Sequence, residues 1–357
     1  MQQKTLTVVI PTYNMEKYLR RCLDSLIVGE EQMAQLEVLV INDGSKDTSS
    51  AIAHEYEKKY PGTFRVIDKE NGHYGSCVNR GIDEATGKYF RILDADDRFD
   101  NDGFRKFIDA LKTAEADMVV TNYCTVAEDK NDMIKPLPRL KGIEYGKIYD
   151  AEDIDFSKMG ASHLLWMHAD TFKLEVIRKA GARLLTGISY TDMQFVLYPL
   201  SVTNTIMFLE IYLYMYTVGR EGQTCDPKVQ LKSINDHYRV SCKVLEDYIA
   251  MYKGKGMSVV RENVITVALM VICAYISNVL CSLEKTDAEE RRARDLYELM
   301  KTGAPDLLVE MRKKYIQRNG FKYHYFRVWE DTGKYMSDFP YCMINMLNGV
   351  RKLIKGE

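Results

Sequence analysis

Lys88-Tyr89-Phe90-Arg91-Ile92-Leu93-Asp94-Ala95-Asp96-Asp97 is an apolar run that ends in three carboxylates within four residues. Residues 88–93 read as a short buried strand, so the carboxylates emerge at its carboxyl end. In open α/β sheets ligands bind in the crevice outside that end. Three apolar, β-branched runs precede it, at residues 6–10, 36–41 and 64–67. Helical stretches lie between them at 15–28, 47–60 and 76–85. In the first of these, Tyr18, Cys22, Ser25 and Leu26 recur at spacings of three and four, as a helix covering a sheet requires. Asp47 and Thr48 are suited to cap the second. This alternation predicts an α/β layer with a mostly parallel sheet.

Carboxylates this close raise one another's pKa unless a cation lies among them. A hard divalent ion, Mg2+ or Mn2+, takes oxygen ligands and bridges to phosphate oxygens. The same residues would also serve as a surface turn leading to a helix capped at Asp100 or Asp102. The motif alone leaves both readings open. A second acidic turn, Asn42-Asp43-Gly44-Ser45-Lys46-Asp47, follows the second strand and opens onto the same crevice. Gly44 permits its tight turn. Pro11-Thr12-Tyr13-Asn14 ends the first strand at the same edge, where Thr12 and Tyr13 would meet a base or a ribose.

These blocks continue through Asn71-Gly72-His73-Tyr74-Gly75-Ser76-Cys77-Val78-Asn79-Arg80-Gly81 and Ala85-Thr86-Gly87-Lys88-Tyr89. In order and spacing, the first 220 residues resemble a family 2 glycosyltransferase of the GT-A fold. The resemblance implies an α/β GT-A domain over 1–220, a mostly parallel sheet flanked by helices, with a helical C-terminal domain over 221–357. One position departs from the pattern: many relatives carry Arg where Val78 stands, which puts a phosphate contact from there in question and leaves Arg80 as its neighbour.

The resemblance also implies roles. Asp43, with Pro11, Thr12, Tyr13 and Asn14, would hold the nucleotide, and Asn79 and Asp94 belong to the donor side. Asp96 would ligate Mn2+ or Mg2+ on the diphosphate, where the ion neutralises charge on the departing group. Asp192, in Ser189-Tyr190-Thr191-Asp192-Met193-Gln194-Phe195, would be the base that takes a proton from the acceptor hydroxyl. An Asp there also suits a helix N-terminus through the dipole alone. Arg220, Gln223 and Thr224 follow the last strand, where relatives close a loop over the diphosphate, and Arg220 would bind phosphate. His163, Trp166 and His168 line a sugar pocket or belong to the core. His73 and Tyr74 receive no role. The implied activity is inverting, metal-dependent transfer of a sugar from a nucleotide-diphosphate donor, a UDP-sugar first, to a glycan or lipid-linked acceptor in polysaccharide biosynthesis.

Further along, strands are expected at 117–123 and 210–217 and a helix at 170–179 ended by Gly181, while Pro136 and Pro138 interrupt 130–147. Asp226-Pro227 opens a helical region. Helices at 287–301 and 305–318 end at Gly303 and Gly320. Residues 264–283 form an uncharged stretch of membrane-spanning length, read first as a buried helix and second as an anchor. The tail from 321 to 355 mixes aromatic and basic residues, as a packed helix or a helix on an anionic membrane surface would.

A formal charge of -2, from 49 basic and 51 acidic residues, argues against general nucleic-acid binding. None of the 8 cysteines is spaced C-x-x-C, which argues against zinc and for reduced thiols in the cytoplasm, with peripheral association at the inner membrane face as a further reading. No G-x-G-x-x-G follows the first strand, so a dinucleotide fold is excluded. Two alternatives remain in other classes: a catalytically inactive nucleotide-sugar-binding relative, and a nucleotidyltransferase. The second would want a glycine-rich loop where Pro11-Thr12-Tyr13-Asn14 stands.

Overall fold

Four parallel strands carry the amino-terminal half: β1 (Leu6–Thr12), β2 (Leu36–Asn42), β3 (Phe64–Asp68) and β4 (Tyr89–Ile92), in the spatial order β3-β2-β1-β4. β1 and all of β2 except Glu37 are buried, which is why they read as unbroken apolar runs rather than alternating ones. The computed structural model describes residues 3–128, 133–135, 139–219, 223–282, 286–318 and 321–336. It divides into two compact units, Met1–Thr224 with Met257–Val267, and Cys225–Gly256 with Ala268–Glu357.

The first unit continues with β5 (Arg98–Phe99), β6 (Met118–Ala127), β7 (Met133–Lys135), β8 (Ile148–Asp150), β9 (Asp170–Lys173) and β10 (Thr205–Val218). Its sheet runs β3-β2-β1-β4-β9-β6-β10-β5. β9 is antiparallel to both neighbours and β5 to β10, so the sheet is parallel from β3 to β4 and again between β6 and β10. The expected helix over 170–179 is therefore half right. Asp170–Lys173 pairs with β4 and β6, and only Leu174–Lys179 is helical. Strand pairing on both edges overrides the local preference.

Seven helices accompany this sheet among the described residues: α1 (Leu19–Asp24), α2 (Glu30–Gln35), α3 (Ser49–Lys59), α4 (His73–Glu84), α5 (Asn101–Thr113), α6 (Leu174–Lys179) and α7 (Asp192–Leu200). α1 is much shorter than the expected 15–28, and distant side chains hold the chain at both ends of that stretch. The Met15 and Glu16 amides donate to Ser49 Oγ and Asp47 Oδ2, and Asn101 Nδ2 takes the carbonyls of Ser25 and Ile27. These side chains satisfy amides and carbonyls that a helix end leaves unpaired, so the chain can leave the helix there. Asp100 does cap α5, accepting from the Gly103 amide at 2.7 Å. α4 starts three residues before the expected 76–85 helix, at His73.

The second unit is helical: α8 (Pro227–Lys232), α9 (Ile234–Tyr252), part of α10 (Val259–Ser282), α11 (Asp287–Gly303), α12 (Pro305–Lys313) and α13 (Tyr325–Thr332). α12 stops before the expected 318, because Ile316–Arg318 pairs with Phe321–Tyr323 as β11 and β12. α10 is long and apolar enough to cross a membrane, yet 61% of its most apolar window is buried within the protein. Val264, Val267, Ile272, Tyr275 and Ile276 are among the buried residues, which suits a core helix. Much of the 321–355 tail and the break at Pro136 and Pro138 lie outside the described residues.

Candidate active site

Because β1 to β4 are parallel, their carboxyl ends open on one edge. Thr12 pairs with Asn42 and Asn42 with Asp68, so three of the four turns leave the sheet at one level. The turn after β2 is shaped by Asn42, whose Oδ1 accepts from the Ser45 amide at 3.2 Å and whose Nδ2 donates to Asp68. Gly44 has φ +72, and a Cβ there would lie 3.2 Å from the Asn71 nitrogen, so a side chain would be strained and crowded. Asn14, at φ 52, donates its amide to Ser45 Oγ and accepts from the Lys46 amide, which ties the first turn to the second. Thr12 is buried, with its hydroxyl on the Ile10 carbonyl, whereas Tyr13 is exposed beside it.

Asp43 is buried and its Oδ1 accepts from Lys69 Nζ and from the Gly72 amide at 2.9 Å. Lys69, just past β3, also donates to Ser76 Oγ at 2.8 Å. A negative and a positive group thus sit side by side at the edge. Lys69 was not legible in the sequence, where it is one lysine among many.

The acidic turn separates its three carboxylates. Asp97 is buried, and its carboxylate accepts from the Tyr214 hydroxyl at 2.7 Å and the Thr217 amide at 2.6 Å. It pins the turn to β10. Burial first, then the charges of Asp96 and Asp94, push its pKa well above the usual range. Asp94 is half-buried and accepts from the Tyr74 hydroxyl at 3.0 Å. The Asp96 carbonyl accepts from Arg21 at 2.9 Å, and its side chain is half-buried.

Ligand atoms of Asp94, Asp97 and His168 lie within 4.8 Å of one another. His168 Nδ1 is buried without a hydrogen-bond partner among the described residues, and burial, aided by Arg91, lowers the imidazole pKa to about 3. A neutral imidazole with two carboxylates is a donor set that fits a divalent ion, Mn2+ better than the oxygen-preferring Mg2+. The Asp96 carboxylate, expected as the metal ligand, is not one of these three.

Asp192 is the first residue of α7, half-buried, with its carboxyl pKa raised by loss of water and partly restored by backbone amides. The segment before it is clamped to α4. Asn79, expected on the donor, donates to the Leu184 carbonyl and accepts from the Leu184 amide, both at 2.9 Å. Gln194 Oε1 accepts from the Leu185 amide, and the Gly187 amide donates to the Gly72 carbonyl, each at 2.9 Å. Val78 is buried, and Arg80 pairs with Glu84 at 2.7 Å, so Arg80 is engaged along its own helix. Gln223 binds the Thr217 carbonyl and Thr224 accepts from Tyr190, while Arg220 lies outside the described residues.

Residues 7–174 match the family described as glycosyl transferase family 2. This part of the chain is a family 2 glycosyltransferase domain, with the curled α/β sheet of the GT-A fold. An uncharacterized glycosyltransferase of Mycoplasma genitalium is 36% identical over 133 residues, 36% of this chain and 43% of that protein, so the match spans under half of that relative's length. The uncharacterized glycosyltransferase YibD of Escherichia coli is 28% identical over 261 residues, 71% of this chain and 73% of its own. S. aureus TarS, residues 1–349 in complex with UDP-GlcNAc, superimposes with a TM-score of 0.63 at 16% identity, covering 85% of this chain and 82% of that one.

Proposed function

We propose that this chain transfers a sugar from a nucleoside diphosphate donor to an acceptor hydroxyl, with inversion at the anomeric carbon. The observation that carries the reading is the convergence of Thr12, Asp43 and the Asp94-to-Asp97 turn on one edge of a parallel sheet, where this architecture binds ligands. Asp43, Lys69, Thr12 and Tyr13 would receive the nucleotide, with Pro11 and Asn14 shaping the turn beneath it and Arg220 reaching the phosphates. Asn79 would act on donor geometry indirectly, through the backbone it clamps. Asp94, Asp97 and His168, with Asp96 at the diphosphate, would hold a divalent ion. When bound, that ion neutralises charge accumulating on the departing nucleoside diphosphate. Asp192 would accept the proton of the acceptor hydroxyl, and its raised pKa brings it nearer the working range of a general base.

TarS was solved with UDP-GlcNAc, which puts UDP first among the nucleotides to test. The acceptor would be a glycan or a lipid-linked glycan of a surface polysaccharide, met in the cytoplasm at the inner membrane face. Residues 1–220 would carry the chemistry, and 221–357 would shape acceptor choice. The test is a thermal-shift panel of UDP, GDP, CDP and ADP, each with and without Mn2+. A metal-dependent rise with one nucleotide is expected, since a ligand that binds only the folded state raises its melting temperature. A flat response to all four would sink the reading.

A further inference from the structure

We propose that Trp166 is the platform for the acceptor's sugar ring, the ring that bears the attacking hydroxyl; this rests on the transferase reading above. The chain has 2 tryptophans. Trp329 is 2% exposed, as a core tryptophan should be, whereas Trp166 is 37% exposed. One exposed aromatic is ordinary in itself, but the position and the support of this one are not.

Trp166 stacks on His168, with ring centroids 6.1 Å apart and planes 24° from parallel. His168 in turn has a ring nitrogen within 4.8 Å of carboxylate oxygens of Asp94 and Asp97. Met167, between them, has its sulfur 3.3 Å from the Tyr74 hydroxyl that donates to Asp94. The turn Trp166-Met167-His168 therefore lies directly against the acidic turn.

Strand order says which part of the substrates it faces. β4 delivers Asp94, and β1 and β2, with the nucleotide-side residues Thr12, Tyr13 and Asp43, lie on one flank of it. β9, which the Trp166 turn leads into, lies on the other flank. A ring over Trp166 would be across Asp94 from the nucleotide, where the acceptor must approach.

The turn is also held rigid. The Ala169 amide donates to the Trp166 carbonyl at 2.8 Å. Arg91, fully buried, donates to the carbonyls of His168 and Ala169 and, at 2.7 Å, to Thr171 Oγ1. The Thr121 amide adds a bond to the Ala169 carbonyl at 3.0 Å. Burying a guanidinium is unfavourable unless its hydrogen bonds are met, and here the two terminal nitrogens meet theirs by fixing this turn. A rigid indole face at low entropy cost is what the C–H face of a sugar ring packs on.

With Trp329 buried, fluorescence quenching by acrylamide reports mainly on Trp166. The full chain, with UDP and Mn2+ present, is titrated with the methyl β-glycosides of glucose, galactose and N-acetylglucosamine. At least one should change the emission and shield it from acrylamide, and Trp166→Phe should abolish that signal. With the responding glycoside as acceptor, Trp166→Ala should raise its KM about tenfold, the range of one aromatic contact, while Trp166→Phe keeps most of the transfer and both keep the melting-temperature rise given by UDP. A rise with UDP but no glycoside effect, or a wild-type acceptor KM in Trp166→Ala, overturns the platform and leaves the transferase reading standing. No response to any nucleoside diphosphate overturns that reading and the platform with it.

Discussion

Replacing Gly75 by alanine separates a structural from a catalytic consequence at one position. Gly75 is the third residue of α4, and in most helices Gly→Ala stabilises by up to about 1 kcal/mol. Here the new Cβ would lie 2.0 Å from the Leu185 carbonyl oxygen and 3.0 Å from its carbon. Real Cβ contacts do not fall below 3.0 Å, so the pair must part by at least 3.0 - 2.0 = 1.0 Å. The obstacle is backbone, and Asn79 and Gln194 hold it from both sides. Overpacking of this kind costs about 1–3 kcal/mol, which outweighs the helix gain, so the melting temperature should fall by a few degrees. The displaced segment leads to Asp192, and a shift of about 1 Å in a catalytic group costs about a hundredfold in rate. Calorimetric melting, UDP-induced thermal shift and transfer kinetics should show a modest loss of stability, retained nucleotide binding and a large loss of kcat. A variant that melts at or above the wild type, or that transfers at the wild-type rate, would refute the clamp and its link to Asp192.

Asp96→Ala should lose metal-dependent UDP binding in calorimetry with its melting temperature nearly unchanged, whereas Asp97→Ala should cost about 1–3 kcal/mol of stability for each partner left unsatisfied, Tyr214 and the Thr217 amide. Unchanged UDP affinity in Mn2+ for Asp96→Ala removes that residue from the metal site. Asp192→Asn should bind UDP normally and lose transfer; a wild-type rate places the base elsewhere. Acid should destabilise the protein through His237, whose pKa burial lowers to about 4. Between there and the unfolded value near 6.5 only the unfolded state takes the proton, so stability rises with pH across that window, and at pH 5 the loss is about 2 kcal/mol. His237→Gln should flatten the pH dependence of melting; an unaltered slope would show that His237 is not the group responsible.

What could be read from the sequence was what short-range pattern encodes. The β1, β2 and β4 runs, the Asp94-to-Asp97 turn and the Asp100 cap depend on neighbours a few residues away, and the structure has each of them. The reversed strand β9 was missed because Asp170-Thr171-Phe172-Lys173 becomes a strand through edges offered by β4 and β6, far off in the chain. The same reason hid Lys69 beside Asp43 and Tyr74 on Asp94. Asn79 and Asn14 carry the block pattern, yet the Asn79 side-chain amide and Asn14 Oδ1 are spent on backbone, a distinction that spacing cannot express.

The three carboxylates of the acidic turn, equivalent as letters, differ as acids, and this has a consequence for metal binding. Asp97 is buried with its pKa raised, so over part of the acid range it carries a proton that a divalent ion must displace. His168 is different, since its imidazole is already neutral above about pH 3 and releases nothing on binding an ion. If Asp94, Asp97 and His168 form the site, Mn2+ binding in mild acid should release protons from the carboxylate alone. Calorimetry in buffers of different ionisation enthalpy measures that release directly. It should be present in the wild type, vanish in Asp97→Asn and persist, with weaker binding, in His168→Gln. Release that disappears in His168→Gln instead would mean an imidazole titrating in its ordinary range, and the buried, neutral His168 described here would be wrong. Release unaltered in both variants would move the ion away from these three residues and toward Asp96.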